Sequence, residues 1–121
     1  MKPIQTISLF AIIIALTFSA CKYDSEEELY TVCDTTAVSF SATIQPILAA
    51  NCNSCHNATL AEAGVITENY DALMIPVNAG VFHKAVNHLP GPTPMPYMQP
   101  KLPECELNKI NAWINQGALN N

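Results

Sequence analysis

The sequence predicts an all-α domain of three to four short helices joined by long loops. Apolar residues recur at helical spacing, no stretch alternates apolar and polar residues as a strand does, and six of the nine prolines fall within residues 90–103. The first helical signal is Ile44, Ile47 and Leu48 at i, i+3 and i+4. Ser41 or Thr43 stands where a cap belongs, and Pro46 falls in the first turn, where a missing N–H is tolerated. This helix is expected to run into Cys52. Residues 57–67, small and polar with Gly64, read as a loop. Asn69 is placed to cap a helical turn over residues 70–75 that Pro76 should end, and residues 81–88 suit another short helix. The prolines of residues 90–103 forbid helix and stiffen an extended loop. Leu107, Ile110, Trp113, Ile114 and Ala118 mark one face of a last helix over residues 104–116. Glu104 and Glu106 suit the positive end of that helix, and Gly117 its C-terminal end.

A chain of 121 residues allows one domain. Five Lys, no Arg and ten acidic residues do not make a phosphate-binding surface, so nucleic acid is not an expected partner. Lys2, an apolar run over residues 7–18 and Ser19-Ala20 read together as a signal peptide over residues 1–20. That run is shorter than the roughly 20 residues of a spanning helix. Thr17-Phe18-Ser19-Ala20-Cys21 resembles the lipobox of bacterial lipoproteins, with Phe18 where Leu is usual. The resemblance implies that Cys21 is the lipidated first residue of an exported chain; the alternative is an ordinary cleavage site with Cys21 free or disulfide-bonded. From Cys21 onward four Lys face ten acids, a net charge of about −6. Asp24, Glu26, Glu27 and Glu28 make residues 21–32 an acidic flexible tether with little apolar surface to bury. The folded domain is then residues 33–121. A chain of that size buries only around 60% of its surface and calls for a staple or a cofactor.

The chemistry is concentrated in Cys52-Asn53-Ser54-Cys55-His56, a C-x-x-C-H pentapeptide and the signature of c-type haem attachment. On a helical turn, positions i, i+3 and i+4 share a face, so both thiols and the imidazole point the same way. Two thioethers to the haem vinyl groups can then form while the imidazole reaches iron. Three other readings compete. A thioredoxin-like redox pair needs a βαβ setting, a zinc site needs further ligands, and a structural disulfide would use only the two cysteines.

With these motifs the span from Cys33 to Asn121 resembles a class I-type cytochrome c, of the small monohaem kind found in bacterial lipoproteins. The similar segments are Ile44-Gln45-Pro46-Ile47-Leu48 leading to the pentapeptide, Met95-Pro96 in the proline loop, and the terminal segment from Ile110 to Ala118. The resemblance implies one covalent haem c on Cys52 and Cys55, with His56 as proximal iron ligand. It implies Met95 as distal ligand, its backbone restricted by Pro94 and Pro96, with Met98 the second choice. Met74, His83, His88 or an open iron are the remaining options. Many members carry a proline soon after the haem motif whose carbonyl receives the proximal imidazole N–H. Here no proline lies between His56 and Pro76, which leaves that acceptor unassigned. In such proteins the terminal helices pack together, so Cys33 and Cys105 are expected to form a disulfide rather than remain buried thiols. Trp113 is expected to pack against haem and the first helix; Tyr97 and Lys101 border the ligand loop.

The function so implied is single-electron transfer between exported redox proteins, with no residue acting as acid, base or nucleophile. The protein would be lipid-anchored to a bacterial membrane, on the periplasmic or cell-surface side. A domain that binds or senses a gas, or a weak haem peroxidase, would instead use an open iron site.

Overall fold

The computed structural model describes residues 33–121. The signal peptide at 1–20, Cys21 and the tether at 21–32 lie outside the described residues. Four α-helices and no strand are found among the described residues: α1 Gln45–Asn51, α2 Tyr70–Asn78, α3 Val81–Val86 and α4 Glu104–Asn115. The class is all-α.

Helix α1 is entered through a π-helical turn, Phe40–Ile44, and this changes its cap. The wider turn lets the N–H groups of Thr43 and Ile44 both reach the Ser39 carbonyl, each at 3.1 Å. The cap is therefore Ser39, whose hydroxyl accepts from the Ala42 N–H, and not Ser41 or Thr43. Ser41 donates instead to the Asn121 carbonyl at 2.8 Å. Pro46 sits in the first turn of α1, and Ile44 and Leu48 are fully buried. At the far end, the N–H groups of Cys52 and Asn53 both return to the Leu48 carbonyl. The chain thus passes from α1 into the cysteine-bearing turn without an intervening loop.

Asn69 caps α2 as expected, its side chain accepting from the Ala72 N–H at 2.9 Å. Pro76, however, does not end the helix, which continues to Asn78. A proline forfeits one backbone bond and crowds the preceding turn, an effect of about 3 kcal/mol in a helix interior. Here Leu73 is fully buried, and Tyr70, Met74 and Val77 pack on the core around it. That burial holds the backbone helical past the proline. Gly80, at φ 70°, supplies the left-handed residue that turns the chain into α3. Helix α3 is shorter than residues 81–88, since Asn87 caps it and His88 is left-handed at φ 54°.

Residues 90–103 contain no helix. Helix α4 begins after Pro103 with Glu104 and Glu106 in its first turn. It buries Ile110 and Trp113, and Gly117 at φ 98° reverses the chain behind it. Trp113 lies at the centre of the core, its ring 5.7 Å from that of Phe40, which meets Tyr70 edge-on at 5.2 Å. The indole N–H donates to the Leu119 carbonyl and the Tyr70 hydroxyl to the Ala118 carbonyl. No buried side-chain nitrogen or oxygen among the described residues lacks a partner.

Cys33 and Cys105 form a disulfide, with their Cα atoms 5.5 Å apart. It fastens the start of the described chain to the first turn of α4. Gln116 adds a second tie, donating to the Thr35 carbonyl and accepting from the Val38 N–H. Among the described residues, no helix is long and apolar enough to cross a membrane.

Candidate functional site

Cys52-Asn53-Ser54-Cys55-His56 forms a single closed turn. The N–H groups of Cys55 and His56 converge on the Cys52 carbonyl at 3.1 and 3.0 Å, which brings positions i, i+3 and i+4 to one side. Polar side chains lock this turn from behind. Asn57 donates to the Asn53 carbonyl and accepts from the N–H groups of Thr59 and Leu60. Thr67 is a buried polar residue, 3% exposed. Its N–H donates to the His56 carbonyl at 2.8 Å and its hydroxyl to Asn53 Oδ1 at 2.7 Å.

His56 Nδ1 lies 3.3 Å from the Val65 carbonyl. A carbonyl only accepts, so Nδ1 carries a proton, and in the neutral ring Nε2 is the nitrogen with the free lone pair. This is the tautomer that metal-ligating histidines use, with the second nitrogen steered by a backbone acceptor. Val65 is thus the backbone acceptor for His56 that the sequence left unassigned. The loop delivers it by folding back through Ala61, Ala63 and Gly64, all at positive φ.

The turn faces a cavity of about 690 Å³. Cys52, Cys55 and His56 line it, together with Met95, Pro96 and Tyr97 from the proline-stiffened loop. A second cavity of about 190 Å³ shares Cys52, His56 and Met95 and is backed by Val81, Phe82, Ala85 and Val86 of α3. The larger is of the size of a small-molecule cavity, and both are largely apolar with a few polar groups. Among the described residues, no three His, Cys, Asp or Glu side chains converge to hold a bare metal ion. A haem makes a different demand: two thiols on one edge and a single donor for iron on each face. Cys52, Cys55, His56 and Met95, which all line the larger cavity, are donors of the types this demand names.

The other candidate ligands are placed elsewhere. Met98 is 84% exposed and lines neither cavity, and the same absence from both linings holds for Met74, His83 and His88. Trp113 also lines neither cavity; it fills the core against Phe40. Tyr97 borders the larger cavity while remaining mostly exposed, and Lys101 does not line it.

Burial, reinforced by the Glu106 carboxylate, pushes the Cys52 thiol from its ordinary 9.0 up to about 11. A thiol held neutral at pH 7 is a poor attacking nucleophile, which disfavours the thioredoxin-like reading. Because the folded value is the raised one, its contribution to stability is complete below pH 9 and is lost as pH rises towards 11. Cys55 is exposed and Cys52 is not. In the haem-free chain at neutral pH, iodoacetamide should therefore modify Cys55 at least about tenfold faster than Cys52. Peptide mass mapping over a time course reads this; equal rates would show that the turn does not shelter Cys52.

No protein-family model, curated protein or solved structure matches the chain.

Proposed function

We propose that this chain is a membrane-tethered monohaem cytochrome of the c type, carrying single electrons between exported redox partners. The observation that carries the reading is the placement of Cys52, Cys55, His56 and Met95 around one cavity, with His56 Nδ1 held by the Val65 carbonyl. When bound, haem iron supplies the one-electron chemistry, alternating between its ferrous and ferric forms. The chain's own residues do the rest. Cys52 and Cys55 fasten the group covalently, which a domain this small needs. His56 would offer Nε2 and Met95 its thioether, both residues lining the same cavities. A methionine–histidine pair sets a high potential and leaves no open coordination position. Phe82, Ala85 and Val86, all buried, keep their wall of the smaller cavity apolar.

Signal peptide, Cys21 lipid and the tether at 21–32 extend the proposal beyond the described residues. A tether of that length reaches roughly 40 Å when fully extended, enough to carry the domain between neighbouring membrane complexes. The net negative charge favours redox proteins with basic docking patches. Two measurements on the mature protein test this. Its oxidised spectrum should show a methionine–iron charge-transfer band; a haem spectrum without that band, with ready binding of carbon monoxide, would support the open-iron sensor or peroxidase instead. Cys21→Ser should move the protein from the membrane to the soluble fraction. Continued membrane association, with no diacylglyceryl group on the native protein, contradicts the anchor.

A further inference from the structure

Three alternating prolines, Pro92, Pro94 and Pro96, bring no N–H groups to the loop that carries Met95. A segment so poor in donors cannot be held by a backbone ladder; it is held through the donors it retains and through donors offered to its carbonyls. The structure shows both at one residue. The Met95 N–H donates to the Ala85 carbonyl at 3.0 Å, and His88 Nε2 lies 3.0 Å from the Met95 carbonyl. Since that carbonyl only accepts, His88 donates through Nε2–H. Met95 is thus gripped on both sides of its Cα, and its side chain enters the cavity from a fixed backbone.

The gripping ring is itself held. His88 is left-handed at φ 54°, directly after the Asn87 cap of α3. Asn87 and Asn111 of α4 exchange paired amide hydrogen bonds at 2.9 and 3.1 Å, and Asn87 also donates to the His83 carbonyl. The chain of contacts runs from α4 through the end of α3 to the methionine loop. His88 lines neither cavity, so its ring is committed to the loop and does not compete for the site.

We propose that His88 is the positioning residue for Met95: its Nε2–H fixes the loop so that the thioether is presented to the cavity that His56 also lines. The part that concerns iron rests on the cytochrome reading above; the clamp itself does not.

The experiment compares the full-length mature protein with His88→Ala and with His88→Gln, whose amide N–H can replace the donor. Two readouts are taken on each. Amide exchange at Met95 needs no haem, and should become roughly tenfold faster in His88→Ala and recover in His88→Gln. The methionine–iron band should weaken in His88→Ala, with a lowered reduction potential, and return in His88→Gln, while Cys52 and Cys55 keep their attachment. Unchanged exchange at Met95 in His88→Ala overturns the clamp, whether or not haem is present. Faster exchange with an unaltered band and potential overturns positioning, leaving only a loop contact. A parent protein without haem defeats the cytochrome reading and is told apart from both, because the exchange comparison still decides the clamp.

Discussion

Replacing Cys33 and Cys105 together by alanine should lower the stability of the domain by about 4 kcal/mol. The pair is 72 residues apart in sequence, so its removal restores to the unfolded chain most of the freedom that a long closed loop had taken away. Domains of this size have roughly 5–15 kcal/mol in all, and the smallest lie at the lower end. The folded state gives up a local tie as well. Residues 33–38 are held to α4 by the disulfide at one end and by Gln116 at the other, and Val38 packs into the core. Urea unfolding followed by circular dichroism, with and without a reductant, measures the effect. A variant as stable as the parent would mean that the core alone suffices.

The second large effect concerns Met95, which lines both cavities together with His56. On the proposed haem reading, Met95→Ala should abolish the methionine–iron band and lower the reduction potential by on the order of 0.1 V, within the roughly 0.8 V that axial ligands command. Met98→Ala should change neither, because Met98 lies in solvent and lines neither cavity. Redox titration of the two variants beside the parent separates the cases. Loss of the band in Met98→Ala alone would transfer the ligand role to Met98.

What the sequence made legible was carried by side chains whose chemistry acts at short range. The pentapeptide turn, the Asn69 cap, the proline-stiffened loop and the apolar face of α4 depend on residues within a few positions of one another. The rest depended on tertiary context. Pro76 carries a local stop signal, yet the burial of Leu73 and its neighbours overrides it. Ser39 becomes the cap because the entering turn is π-helical, which shifts the start of the helical path ahead of the 3.6-residue period. The partner of His56 is a main-chain carbonyl, and a carbonyl has no letter of its own; only the positive-φ residues of the loop bring Val65 back to the ring. The hold of His88 on Met95 is likewise a side chain meeting backbone across a loop. Trp113 sits on the expected helical face, but which neighbour it meets was decided by the π-helical turn that brings Phe40 to it.

The proposed function requires a covalent bond between haem and the turn at residues 52–56. The direct measurement is to denature the mature protein, extract it with acidified organic solvent, and determine the mass of the peptide that contains Cys52 and Cys55. The account predicts that the colour stays with the polypeptide and that this peptide carries one haem, with neither cysteine open to alkylation. Haem released into the solvent, or a haem-free peptide with two alkylatable thiols, would contradict it.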